Sequence, residues 1–312
     1  MKMTTSIASM TLLFAACLAF APAVAAQQIT GTERAIVVQT GAFKLPGILT
    51  LPAMAGKVPV VILVHGSGPN DRDETIGPNK PFRDLANGLA EHGIATIRYD
   101  KRTKVYGAAS VPQGTDISYD TETVDDALSA VELARTLPEI NPQKVFVLGH
   151  SLGGMLAPRI AKRSGHLAGI IMLAAAARPM ETILREQLAY LAPLQGFPES
   201  AIPTIVEQTR KSVPASYWTF ANEYQPAQVA ALLSIPMLIL QGERDYQVTM
   251  EDFHIFQTAL SGHHNAQFRS YPKLNHLFQV GEGKAVPQEY MKATPVAPIV
   301  VQDIARFVKA KK

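Results

Sequence analysis

A serine hydroxyl attacks a carbonyl only when a base removes its proton and donors receive the oxyanion that forms. The segment Gly149-His150-Ser151-Leu152-Gly153 sets a serine between two glycines, directly after the apolar run Val145-Phe146-Val147-Leu148 and directly before a helical pattern. A strand-to-helix turn this tight strains its central residue and has no room for side chains at Gly149 and Gly153. It lifts the Ser151 hydroxyl above a sheet and beside a helix N-terminus. The chemistry on offer is acyl transfer through a serine nucleophile.

Such a serine needs a carboxylate and a histidine, which in strand-elbow-helix enzymes follow it in that order. Asp245, in Gly242-Glu243-Arg244-Asp245 after the apolar run Pro236 to Gln241, stands where a strand-end carboxylate belongs, with Glu243 as its rival. His276 follows the next strand-like run, Gln267 to Tyr271, and is the expected base. His92 and His254 fall on helical patterns, His263 and His264 precede that strand, and His65 and His150 are embedded in glycine segments. The oxyanion donors expected are the backbone N–H groups of Leu152 and of Ser67, the latter in His65-Gly66-Ser67-Gly68, with Gly68 second.

The elements that must position these groups are legible as alternating patterns. Arg34 to Thr40 and Lys44 to Leu51, separated by Gly41, predict an opening hairpin. Pro59 to Val64, Ile94 to Tyr99, Lys144 to Leu148, Leu167 to Leu173, Pro236 to Gln241 and Gln267 to Tyr271 are short apolar runs that suit strands buried on both faces. Helical patterns lie between them at Phe82 to His92, Thr121 to Leu137, Leu152 to Ser164, Met250 to Leu260 and Ile299 to Lys309. The alternation predicts an α/β fold with a mostly parallel central sheet and helices on both faces.

One stretch, 177–235, interrupts the alternation and predicts an inserted helical cap, with helices over Glu181 to Leu191, Pro198 to Lys211 and Pro226 to Leu233. The cap is expected to line the acyl pocket. Its aromatics Tyr190, Trp218, Phe220 and Tyr224 are expected in the cap core rather than against substrate.

Residues 1–26 have the order of a signal peptide: Lys2, the apolar run Ile7 to Phe20, Pro22, then Ala23-Val24-Ala25-Ala26, with cleavage expected after Ala26. Residues 27–312 would then form the exported, periplasmic or secreted domain, with no stable membrane insertion. The single cysteine, Cys17, lies in this leader, where Phe14-Ala15-Ala16 fits lipidation poorly. The mature chain would have no thiol nucleophile or thiolate metal site. A net charge of +3, with clustered lysines only at Lys309, Lys311 and Lys312, gives no nucleic-acid patch.

With these residues assembled, the chain resembles the α/β-hydrolase superfamily over nearly all its mature length. Within that superfamily it is similar to bacterial carboxylesterases of the esterase EstD type. Four stretches carry the likeness: His65 to Glu74, Arg98 to Arg102, Gly149 to Gly154 and Gln241 to Val248. The resemblance implies the α/β-hydrolase fold and hydrolysis of small-molecule carboxylic esters by Ser151, Asp245 and His276, with no cofactor and no metal. Serine peptidases occupy the same neighbourhood, and the cap carboxylates Glu181, Glu186 and Glu223 are the residues that would hold a substrate amino group in that reading. Thr103 to Ser110 departs from the glycine-rich turn that relatives carry there. Asn70 to Asp73 and Asp100 to Arg102 are expected to pair as a support beneath the oxyanion loop, with substrate contact as the alternative.

Overall fold

The computed structural model describes residues 31–111 and 114–310; the predicted leader and Cys17 lie outside them. The opening hairpin pairs β1 (Gly31–Thr40) with β2 (Phe43–Pro52) through a turn at Gly41, whose φ of 57° suits glycine. Then follow β3 (Val58–Val64), α1 (Pro81–Glu91), β4 (Ala95–Tyr99), α2 (Arg102–Tyr106), α3 (Asp125–Thr136), β5 (Ile140–His150), α4 (Leu152–Ser164) and β6 (Gly169–Leu173). Four helices come next: α5 (Met180–Gln195), α6 (Ile202–Lys211), α7 (Ala215–Glu223) and α8 (Pro226–Ala231). The chain continues with β7 (Met237–Gly242), α9 (Met250–Ala259), β8 (Ala266–Tyr271) and α10 (Pro298–Lys309).

The eight strands form one sheet in the order β1-β2-β4-β3-β5-β6-β7-β8. The hairpin is antiparallel, β2 meets β4 antiparallel, and every pairing from β4 through β8 is parallel. Alternate side chains of the central strands supply two separate cores, as the two-residue period of a strand requires. Val60, Ile62, Val145 and Val147 pack with Val131 of α3 and Leu156 and Ile160 of α4. Val61, Leu63, Phe146 and Leu148 pack on the opposite face with Phe82, Leu85 and Leu89 of α1 and Ile304 and Val308 of α10. Because both faces are covered, these strands lack polar alternation, which is why they stood out in the sequence as continuous apolar runs.

Two differences from the sequence expectation have local causes. The backbone opens into a wide π turn at Asp120–Val124, so the regular helix α3 starts at Asp125 rather than Thr121. Between β6 and β7, α5 continues past Leu191 to Gln195 with Pro193 inside it, and α7 is a helix the sequence reading did not contain. Pro214 caps α7, and its Tyr217, Phe220 and Ala221 recur at helical spacing to pack against the sheet-side core.

Candidate active site

The strand β5 ends at His150 and α4 begins at Leu152, leaving Ser151 alone at the corner with φ 53° and ψ −114°. A side chain gains nothing in that left-handed region, and holding one there costs roughly 1–3 kcal/mol. The glycines that allow the corner are sterically required. A Cβ on Gly149 would lie 2.0 Å from the Gly153 carbonyl oxygen, and one on Gly153 would lie 2.2 Å from that of Val64. The corner is held by the Ser151 N–H, which donates to the Leu173 carbonyl at 2.9 Å.

Asp245 and His276 come from the loops after β7 and β8, and both are buried. His276 Nδ1 lies 2.6 Å from Asp245 Oδ2. The other carboxylate oxygen accepts the N–H groups of Gln247 at 2.7 Å and Val248 at 3.1 Å. Glu243, the rival acid, is exposed and accepts from the Ser270 hydroxyl at 2.7 Å. The His276 loop is shaped by Asn275, whose side-chain oxygen accepts the N–H groups of Leu277 and Gln279, both at 3.0 Å. Arg244 fixes the following segment, donating to the carbonyls of Gly283 at 2.5 Å and Glu282 at 2.8 Å and to Glu289 at 2.5 Å.

Ser151 and His276 line one cleft of about 670 Å³, together with Ser67 and Leu152. The N–H groups of Ser67 and Leu152 have no acceptor among the described residues, whereas the Gly66 N–H is taken by Glu74 at 2.6 Å. Gly68 does not line the cleft. The loop carrying Ser67 is pressed against Ser151: a Cβ on Gly66 would lie 3.3 Å from Ser151 Cβ. The remaining wall is largely apolar. Met180, Ile183 and Leu191 come from α5, Met155 from α4, and Tyr246 and Tyr290 from the loops around Asp245 and Glu289. Of the four inserted helices only α5 reaches the cleft, which narrows the expectation that the whole insertion lines it. Tyr190, Trp218, Phe220 and Tyr224 are absent from the lining. Phe220 stacks on Tyr224 at 5.0 Å, and Tyr190 packs behind Tyr246 at 5.3 Å. The carboxylates Glu181 and Glu186 are paired with Arg185 and Arg178, and neither they nor Glu223 line the cleft.

Of the charged residues of the two strand-end segments only Arg72 and Asp100 pair with one another, and the others find partners elsewhere around the Ser67 loop. Arg72 forks onto Asp100 at 2.9 and 2.6 Å. Asp73 holds Lys80 at 3.0 Å and also pairs with Arg98. Lys101, buried, bridges Glu122 at 3.0 Å and the Gly66 carbonyl at 3.1 Å. The Tyr217 hydroxyl of α7 donates to the other oxygen of Glu122 at 2.8 Å, so an inserted helix is tied to the Ser67 loop through two side chains. Asn70 alone of the group lines the cleft, donating to the carbonyls of Gly66 at 3.2 Å and Ser67 at 3.0 Å.

Three buried groups escaped the sequence reading. His65 sits between the rings of Phe82 and Tyr99, at 5.3 and 5.4 Å, and burial pulls its pKa down to about 4, so the ring is neutral. Glu74 and His150 lie side by side behind Ser151. Both were visible inside the glycine segments, but nothing in spacing alone distinguishes a buried charged pair from two surface residues.

The sheet order, the strained serine corner and the Asp–His pair at the far strand ends define the class. Residues 61–289 match the alpha/beta hydrolase family, and the chain belongs to it. It is 43% identical over 275 residues to esterase EstD of Thermotoga maritima, across 85% of this chain and 65% of EstD, so it spans just under two thirds of that relative. Esterase Pf2001 of Pyrococcus furiosus superposes with a TM-score of 0.61 at 17% identity, over 91% of this chain and 92% of that one. Dipeptidyl peptidase 4 of Porphyromonas gingivalis does so with a TM-score of 0.58 at 18% identity, over 89% of this chain and 35% of that one. At those identities the two structures share the fold alone.

Proposed function

We propose that this protein is a serine carboxylesterase acting on small or short-chain acyl esters, with Ser151, Asp245 and His276 as its triad. The observation that carries the reading is the 2.6 Å Asp245–His276 pair opening onto the same apolar cleft as the strained Ser151. Asp245 fixes the His276 proton on Nδ1, which leaves Nε2 to accept the Ser151 proton as Ser151 attacks the ester carbonyl. The oxyanion is received by the N–H groups of Leu152 and Ser67. His276 then protonates the departing alcohol and activates the water that releases the acid.

The apolar lining from α5 favours an uncharged acyl group. A peptidase would need a charged anchor for a terminal amine, and the carboxylates of the inserted helices are directed elsewhere. The leader-like order of residues 1–26 supports export to the periplasm or beyond, which N-terminal sequencing of the mature protein tests.

The decisive experiment is turnover of p-nitrophenyl esters from C2 to C12 beside aminoacyl-p-nitroanilides, with fluorophosphonate labelling of wild type and Ser151→Ala. Ester turnover with labelling lost in the variant is expected. Amide-only turnover, or labelling unchanged in the variant, overturns the proposal.

A further inference from the structure

Glu74 and His150 take no part in the acyl chemistry above, yet they lie directly beneath it, 2% and 5% exposed. Burying an ionisable pair is costly and is a poor route to stability in itself. Glu74 also holds a left-handed backbone, φ 52°, which only a well-braced loop retains in a residue with a side chain. What this pair touches gives it a role. Glu74 Oε1 accepts the N–H of Gly66 in the oxyanion loop at 2.6 Å. Glu74 Oε2 stands 3.0 Å from Nδ1 of His150 in the serine corner. On its other side, His150 Nε2 lies 2.9 Å from the backbone carbonyl of His276. One pair of side chains therefore ties together the three loops that carry the proposed oxyanion donors, nucleophile and base.

Resting on the esterase reading of Ser151 and His276, we infer that Glu74 and His150 are positioning residues, with His150 doubly protonated, that hold the oxyanion loop and the His276 loop in register around Ser151. The proton count follows from the acceptors. A carbonyl oxygen only accepts, so His150 Nε2 must carry a proton. A neutral ring would then turn its Nδ1 lone pair onto a carboxylate oxygen 3.0 Å away, a repulsive contact. A second proton on Nδ1 makes it an ion pair, which tolerates an angle that is off line for a hydrogen bond. The Gly66 N–H on Oε1 favours the ionised form of Glu74.

The surrounding charges agree. Burial opposes the charge on His150, but Glu74, the His276 carbonyl and Asp245 outweigh it and move the pKa up. Burial likewise opposes ionisation of Glu74, and His150 and the Gly66 N–H outweigh it in the other direction. The His276 ring, 4.7 Å from that of His150, completes the neighbourhood.

Glu74→Gln separates geometry from charge. Its amide oxygen still accepts from Gly66, and its amide nitrogen donates to Nδ1 of a neutral His150 whose Nε2–H still reaches His276. Glu74→Ala and His150→Leu remove the contacts. On the best p-nitrophenyl ester, Glu74→Ala and His150→Leu are expected to lower kcat by about 100-fold with KM within about threefold, the signature of a small misplacement of reacting groups. Glu74→Gln should stay within about tenfold of wild type. Side-chain ¹⁵N spectra should show both His150 ring nitrogens protonated in wild type and only Nε2 protonated in Glu74→Gln. A folded His150→Leu protein with kcat near wild type overturns the proposal. So do equal losses in Glu74→Ala and Glu74→Gln, or a singly protonated His150 in wild type. Should the variants fail to fold, the wild-type spectrum still decides the protonation state. A wild type that folds but neither labels nor turns over esters overturns the esterase reading instead, and leaves the spectrum as the test of the pair.

Discussion

Asp245 Oδ2 and His276 Nδ1 lie 2.6 Å apart, while the other carboxylate oxygen of Asp245 is committed to two backbone N–H groups. The carboxylate is thus clamped on one side, and its Oδ2, which also accepts from Gln241 Nε2 at 3.3 Å, is the oxygen that sets the histidine tautomer. Asp245→Asn keeps the shape but can donate an amide N–H to Nδ1, which forces the proton onto Nε2 and blocks acceptance from Ser151. Its kcat should fall by about 10³–10⁴-fold with the fold intact. Steady-state kinetics with circular dichroism on the purified variant checks this, and a loss under tenfold would contradict the triad.

The left-handed φ of Ser151 predicts a trade of stability against activity. Ser151→Gly removes a side chain from a conformation it disfavours, so melting should rise by roughly 2–4 °C for a gain of about 1 kcal/mol. Ester turnover should vanish. A melting point lower than wild type, read by calorimetry, would show that the corner is not strained.

Lys101 and Glu122 form a buried ion pair to which Tyr217 and the Gly66 carbonyl are also bonded. Lys101→Met leaves a buried carboxylate without its cation and should cost about 3–5 kcal/mol. Adding Glu122→Gln removes that stranded charge and should restore most of the loss. Urea unfolding of the single and double variants measures it, and equal losses in the two would mean that the pair is not coupled.

His65 sets an acid limit on stability. In the unfolded chain it binds a proton near pH 6.5, but in its buried site only near pH 4. Between those values the unfolded state takes up more protons, so stability falls as pH drops through the window and the loss levels off below it. The gap corresponds to about 3 kcal/mol. Unfolding free energies for wild type and His65→Leu across this range should show a shallower slope in the variant; parallel slopes would assign the acid sensitivity elsewhere.

The strands and the Asp245–His276 pair were readable because their signals are local. Val60 to Val64 and Val145 to Leu148 are apolar at every position, and Asp245 and His276 each follow such a run within a few residues. The Arg72–Asp100 pair was readable too, since these are opposite charges at neighbouring strand ends. What escaped depends on contacts distant in sequence. Nothing near Glu74 announces that it will meet His150, and nothing near Glu122 announces Tyr217. The helix α7 is illegible for a different reason: its apolar stripe is short and aromatic, a pattern that buried loop aromatics share. The reach of α5 alone into the cleft is also a property of packing, invisible in the helical patterns themselves.

That α5 alone among the inserted helices meets the cleft makes the shape of that wall a modular trait. Met180, Ile183 and Leu191 meet the cleft with side chains that form no hydrogen bonds, whereas Gln187 of the same helix donates to the Gln247 carbonyl at 2.8 Å and ties α5 to the Asp245 loop. A lineage, or an engineer, can therefore vary these three apolar side chains to reshape the cleft, provided that Gln187 keeps its bond to the Asp245 loop.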